Sequence, residues 1–219
     1  MKIPGAGTAL PALAVVSMAL TACGGSDPKV SVDTLQKAAD AAIANPNEPC
    51  PLGLDLNAAL KKAGIAATAT PSTGTDPDDH PVDAVSGTGA KSDTPIARFG
   101  GGGMITCSYA LSTGGSVEAT LTGVHKPRAI GVIAPVLARD GQLAVGELRE
   151  FIGRKFDAGK AVLTPDDGLA AVVVLKASGG DAILEVTSNP PAGNADAKNP
   201  IVREPLRVLA EELGKQVKV

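Results

Sequence analysis

Aromatic residues are nearly absent from this chain. Its 219 residues include no tryptophan, one tyrosine (Tyr109) and three phenylalanines. Proteins that bind sugars or bases commonly stack them on aromatic rings, so this scarcity argues against such a binding surface. The core must instead be built from valine, leucine, isoleucine and alanine, in a chain that is 44% hydrophobic.

A strong charge of one sign is also lacking. The chain has 20 lysines and arginines against 23 aspartates and glutamates, a formal net charge of −3. Removal of a leader that contains Lys2 takes this charge from −3 to −4. A mildly acidic chain with scattered charges argues against nucleic acid as a partner and against peripheral binding to anionic lipid.

Recognisable catalytic motifs are the third absence. No serine lies in a Gly-x-Ser-x-Gly pattern, and the glycine run 100–103 is not followed by the Lys-Ser/Thr of a phosphate-binding loop. His80 lies in an acidic cluster over 75–83 whose spacing does not match an EF-hand, which favours a solvated turn over a metal loop. His125 is expected at the surface, at the end of a strand. The sequence therefore predicts no catalytic residue, no metal site and no cofactor.

The N-terminal segment is the most informative feature that is present. Lys2 precedes an almost wholly apolar run from Ala9 to Leu20, interrupted by Pro11 and Ser17. This length suits the apolar region of a secretory signal and is too short to cross a bilayer core of roughly 30 Å. We therefore predict that the chain is exported.

The tetrad Leu20-Thr21-Ala22-Cys23 resembles the lipobox of bacterial lipoproteins, and the Ala- and Gly-rich composition is similar to that of actinobacterial envelope lipoproteins. In that family the matching cysteine carries diacylglycerol on its thiol, the leader is removed, and the new amine is often acylated, for example with palmitate. The resemblance implies a signal peptide over 1–22, lipidation of Cys23, and attachment to the extracytoplasmic face of the cell membrane. The segment 23–30 is polar and glycine-rich, as expected for a flexible tether. The alternative is an ordinary cysteine after a cleavable leader.

Two cysteines remain after Cys23 is assigned to the lipid. Cys50 and Cys107 would lie outside the membrane, where disulfides persist, and we predict that they pair. The chain-entropy model gives such a bond roughly 4 kcal/mol of stabilisation. The alternatives are two buried thiols or a catalytic thiol.

Apolar periodicity predicts five helices, over 31–44, 55–64, 128–138, 144–157 and 203–217. Ser31 or Asp33 can cap the first helix and Asp55 the second. Pro135 is expected to kink the third helix.

Alternating apolar residues predict a hairpin of 104–111 with 117–122, followed by strands over 160–164, 169–176 and 182–187. The stretch 66–103 loses this periodicity and is predicted to be a low-complexity loop with a brief strand at 96–99. Segregated strands and helices indicate an α+β fold: one antiparallel sheet of about four to six strands with helices packed on it, in a single domain over 31–219.

These features favour a non-enzymatic envelope lipoprotein. It would act as a binding or carrier module for an apolar ligand or a partner protein outside the membrane. The lipid anchor, the tether, the aliphatic interior and the lack of a reactive constellation are the basis of this interpretation. Two alternatives remain open: a surface structural or antigenic lipoprotein without a ligand, and an envelope hydrolase whose residues meet only in space.

Overall fold

The structure is a computed structural model that describes residues 30–72, 80–88, 94–165, 168–190 and 201–219. The predicted leader, Cys23 and most of the predicted tether lie outside the described residues. Helices pack on a large antiparallel sheet, which confirms the α+β class.

Six α-helices are found among the described residues: α1 (Val32–Ala44), α2 (Leu56–Lys62), α3 (Pro95–Arg98), α4 (Ala134–Asp140), α5 (Val145–Gly153) and α6 (Arg203–Gln216). The caps of α1 and α2 are the predicted ones, because Ser31 accepts a hydrogen bond from Thr34 N and Asp55 accepts one from Ala58 N. The single kinked helix expected over 128–138 is wrong. A 3₁₀ turn at Ala129–Gly131 precedes α4, and Pro135 lies in the first turn of α4, where no backbone donor is needed.

The main sheet contains seven strands, more than the four to six expected: β2 (Ala69–Pro71), β3 (Val82–Ser86), β4 (Gly102–Leu111), β5 (Ser116–Val124), β6 (Ala161–Leu163), β7 (Ala170–Leu175) and β9 (Asp181–Asn189). Its order is β2-β4-β5-β9-β7-β6, and β3 pairs with β4 beside β2. A separate parallel pair joins β1 (Val30–Ser31) to β8 (Ala177–Ser178).

The additional strands come from the stretch 66–103. β2 pairs with the C-terminal part of β4 and β3 with its N-terminal part, so both complete the backbone hydrogen bonds of the same edge. The brief strand expected at 96–99 is wrong. Pro95–Arg98 forms α3 instead, because Thr94 Oγ1 accepts a hydrogen bond from Ala97 N and caps that turn.

The first described residue already belongs to the folded core. Val30 is fully buried and aligns with Ala177, and Ser31 N donates to Val219 O at 2.8 Å. Val30 is therefore part of the folded domain, whereas residues 23–29 of the predicted tether lie outside the described residues.

Cys50 and Cys107 form the predicted disulfide, with their Cα atoms 5.8 Å apart. Cys107 lies in the middle of β4, and Cys50 lies in the connection between α1 and α2. The bond therefore ties the helical layer to the centre of the sheet.

The two faces of the sheet differ in what covers them. The first face carries Ile105, Leu121 and Leu184, which belong to one apolar cluster with side chains of α1, α2 and α6. The second face carries Val124, Val172 and Ile183, which pack with the 3₁₀ turn, α4 and α5. Because side chains alternate along a strand, the polar residues next to those of the first face belong to the second face.

Candidate functional site

A row of polar side chains crosses the second face. The register aligns Asp83 of β3 with Thr106 of β4, Thr106 with Thr120 of β5, and Thr120 with Glu185 of β9. The hydroxyls of Thr106 and Thr120 are 2.9 Å apart and share a hydrogen bond. With about 4.8 Å between neighbouring strands, the row extends over roughly 14 Å. It ends at Val172 on β7, where the apolar cluster begins.

A cavity of about 620 Å³ lies over this row. The strands supply its floor, and α4 with the residues that follow it supplies one wall. The lining residues are Asp83, Met104, Thr106, Glu118, Thr120, Val136, Arg139, Asp140, Gln142 and Asn189. The volume is within the range of small-molecule sites, about 300–1,000 Å³, but the lining is mainly polar.

The end of α4 is fixed close to the sheet by its sequence. Gly141 caps the helix where a Cβ atom would come within 2.8 Å of both Leu137 O and Thr164 Cγ2, so a larger residue would push α4 away. Gln142 then adopts a left-handed backbone with φ 52°. Arg139 donates two hydrogen bonds to the carboxylate of Asp140, and the Nη2–Oδ2 distance is 3.1 Å. The wall therefore carries an ion pair whose charges offset each other.

Glu185 is the most unusual residue of this region. Its side chain is only 1% exposed, and neither carboxyl oxygen has a hydrogen-bond partner among the described residues. Burial, together with the negative charges of Asp140 and Glu118 and against the positive charge of Arg139, raises the pKa of Glu185 to about 8. At neutral pH the carboxyl group is therefore mainly protonated, since an ionised carboxylate without a partner is costly to bury. The three charged groups that act on it all line the cavity.

Glu118 is a second carboxyl group at the cavity. It lies on the same face as Glu185, and its Oε1 accepts a hydrogen bond from Asn189 Nδ2 at 3.3 Å. Burial, followed by the charge of Asp140, raises the pKa of Glu118. With Arg139 bound to Asp140, Glu118 and Asp83 leave the lining with an excess of acidic groups.

The residues that the sequence singles out lie elsewhere. The disulfide belongs to the first face. His80 Nδ1 is 3.1 Å from Asn47 Oδ1, and residues 75–79 of its acidic cluster lie outside the described residues. His125 follows β5, where a strand end was expected; its side chain is one-third exposed, with Nδ1 2.9 Å from Gly179 O. Neither histidine lines the cavity.

Sequence reasoning missed Glu185, although a signal was present. In β9 one glutamate interrupts the run Ala182, Ile183, Leu184 and Val186, in a strand whose residues are mostly buried. A single ionisable residue within an apolar strand is a candidate for a perturbed pKa. What surrounds the side chain depends on the placement of α4, which strand periodicity does not encode.

Two further observations concern the described ranges. No three histidine, cysteine, aspartate or glutamate side chains there come together in a way that could hold a metal ion. No helix in the same ranges has both the length and the apolar composition needed to cross a bilayer.

Comparisons of the chain with protein-family models, curated proteins and solved structures gave no match.

Proposed function

We propose that this protein is an extracytoplasmic lipoprotein, anchored through a lipidated Cys23, whose domain is a non-enzymatic binding module. Its site is the cavity on the second face. The leader, the lipobox-like tetrad and the polar tether support the anchor. The Cys50–Cys107 disulfide supports a location outside the cytoplasm, since such bonds are rare in reducing compartments.

The buried carboxyl group of Glu185 is the observation that carries the binding function. Leaving a buried polar group without a partner costs about 1–3 kcal/mol, and such groups in folded proteins call for a specific explanation. Glu185 is the cross-strand partner of Thr120, which lines a cavity of ligand size, and its pKa responds to three charged residues of that lining. A ligand that reaches this carboxyl group would supply the missing partner.

The same geometry favours a polar ligand over the apolar ligand expected from the sequence. An apolar cavity between α1 and β3, lined by Ala38, Ala42 and Val82 among others, measures only about 160 Å³. That volume is below the usual range of ligand sites, whereas the polar cavity lies within it. On the first face, buried side chains of α1, α2 and α6 pack directly against the sheet.

Native mass spectrometry tests the binding function. The full chain would be purified from host membranes in mild non-ionic detergent. We expect a bound mass on the wild type that is lost in Glu185→Gln. The matched control is Glu150→Gln, an exposed glutamate on α5, which should keep the bound mass. A bound mass that persists in Glu185→Gln would place the ligand elsewhere and contradict the proposal.

Membrane attachment is tested separately with Cys23→Ala. We expect the variant to remain unprocessed or to leave the membrane fraction, because the lipid would be missing. A Cys50→Ser, Cys107→Ser double variant is the control and should stay attached. Unchanged retention of Cys23→Ala would rule out the anchor.

An envelope hydrolase is the second candidate, favoured by one observation. Glu118 and Glu185 both have raised pKa values beside one cavity, an arrangement that general acid–base catalysis also uses. Nitrophenyl acetate and nitrophenyl glycosides are suitable probes. Turnover that is lost in both Glu118→Gln and Glu185→Gln, but not in Glu150→Gln, would favour the hydrolase. Ligand binding without turnover would favour the binding module.

A further inference from the structure

The charges of the cavity do not balance. Among the described residues, Arg139 is the one basic residue of its lining and is bound to Asp140, so that pair contributes little net charge. Asp83 and Glu118 remain, and the buried Glu185 is the cross-strand partner of the lining residue Thr120. The unpartnered, buried carboxyl group of Glu185 is an observation independent of the acidic lining, because it identifies a specific acceptor to which no described residue donates.

We propose that the cavity binds an organic cation, an ammonium or guanidinium group, between the carboxylates of Glu118 and Glu185. This inference rests on the proposed function, in which the cavity is a binding site. The ligand would bring the N–H donors that Glu185 lacks, and its positive charge would offset the acidic lining.

The sheet register places the two carboxyl groups at a suitable separation. Glu118 aligns with Thr187, so Glu185 lies two residues along β9 and diagonally across from Glu118. Diagonal neighbours on one face of an antiparallel pair are about 7–8 Å apart at the backbone. Two glutamate side chains at that separation can both contact one nitrogen-bearing group. Thr120, the direct cross-strand partner of Glu185, offers a hydroxyl acceptor beside them.

An organic cation fits this site better than a metal ion. Among the described residues no three potential ligands converge as a metal requires. A cavity of about 620 Å³ has room for a charged group together with the carbon skeleton that bears it. Met104 and Val136 give such a skeleton apolar contacts at the wall.

Binding should be coupled to a proton. Burial raises the pKa of Glu185 to about 8, so the free protein holds a proton there at neutral pH. The charged groups that face it are Arg139 and Asp140 from α4 and Glu118 from β5, while Val172 of β7 contributes no charge. When the cation arrives, the carboxyl O–H breaks and one proton passes to the buffer. Affinity should then fall about tenfold for each pH unit below 8.

Isothermal titration calorimetry of the full chain in non-ionic detergent tests this inference. The probes are butane-1,4-diamine and agmatine, with butane-1,4-diol as a neutral analogue and succinate as an anionic one. We expect the two cations to bind, with release of about one proton in buffers of different ionisation enthalpy. Between pH 6 and 8 their affinity should rise about 50-fold, because Glu185 is half ionised at pH 8.

Two variants and one control assign the effect to the site. Glu185→Gln should weaken cation binding at pH 8 at least tenfold and abolish its pH dependence. Glu118→Gln should weaken binding and keep the pH dependence, which preserves the test if Glu185→Gln fails to fold. Glu150→Gln should match the wild type, since its side chain lies on the exposed surface of α5.

The remaining outcomes separate this inference from the proposed function. Binding of the diol or succinate in place of the amines, with loss in Glu185→Gln, would overturn the organic cation and leave the binding site standing. If neither amine binds, the inference of an organic cation is wrong, even if the purified chain carries a bound mass. If no probe binds and the purified chain carries no bound mass, the binding function fails as well.

Discussion

The same strands form both faces of the sheet, but the two faces carry different side chains and are covered by different helices. On the first face, alternate residues of β4, β5 and β9 are apolar and meet three helices in a continuous cluster. On the second face, the intervening residues are apolar near α5 and polar beneath the end of α4. Thr120 and Leu121 are adjacent in the chain, yet Leu121 packs in the core of the first face and Thr120 lines the cavity of the second. We infer that the first face supplies most of the stability, whereas the second contains a buried carboxyl group that opposes it.

Glu185 should cause the largest effect. Its pKa is about 8 in the folded state and near 4.5 in an unfolded chain, so the folded state keeps a proton that the unfolded chain loses. The contribution of Glu185 to the free energy of unfolding should therefore be fully present below pH 4.5 and fall by roughly 4–5 kcal/mol as pH rises through 8. Urea titrations between pH 4.5 and 8 measure this. Glu185→Gln should flatten the profile; an equally steep profile in that variant would assign the dependence to other groups.

Removal of the disulfide tests the first face. Cys50→Ser with Cys107→Ser should lower the free energy of unfolding by about 4 kcal/mol, because the unfolded chain regains the entropy of an open loop. Thermal and urea unfolding measure the change. Cys23→Ser is the matched control, since it removes a cysteine and leaves the bond intact. Equal stability of the double variant and this control would show that the bond adds little.

A pair of substitutions in β5 compares the faces directly. Leu121 is fully buried on the first face, and Leu121→Ala should cost about 3 kcal/mol through lost burial and the cavity it leaves. Thr120→Ala, one residue away, removes one hydroxyl hydrogen bond and should cost about 1 kcal/mol. Urea unfolding of both variants at pH 5 gives the difference. Equal costs would contradict the division between the faces.

The boundary of the covered part of the second face is held by Asp181, whose removal should have a smaller effect than that of Leu121 or the disulfide. Asp181 Oδ2 accepts hydrogen bonds from Arg128 N at 2.8 Å and Ala129 N at 2.7 Å, which holds the 3₁₀ turn against β9. Asp181→Ala should cost about 1–2 kcal/mol because both donors lose their partner. The exposed Asp157→Ala is the control, with a change below about 0.5 kcal/mol in the same unfolding assay. Matching values would deny Asp181 this role.

The sequence predicts those parts of the fold that have strong periodicity. Apolar spacing predicts the helices α1 and α6, the hairpin of β4 and β5, and the buried strand β7. The cysteine count predicts the disulfide. β2 and β3 were missed because they are short, and β2 ends in a proline; their pairing is determined by the free edge of β4. The cavity was missed for a similar reason. Its residues come from strands and from α4, and only long-range packing brings Asp140 to Glu185.

The position of β1 shows where the described chain enters the fold. Val30 pairs beside Ala177, near the Asp181 end of β9, and this is where the described chain begins. Asn189, at the cavity, lies at the other end of that nine-residue strand, roughly 26 Å away at about 3.3 Å per residue. In a domain held through Cys23, as proposed, the chain would enter the fold at the Val30 end of the sheet, and the cavity would extend from the level of Ile183 to Asn189 at the far end.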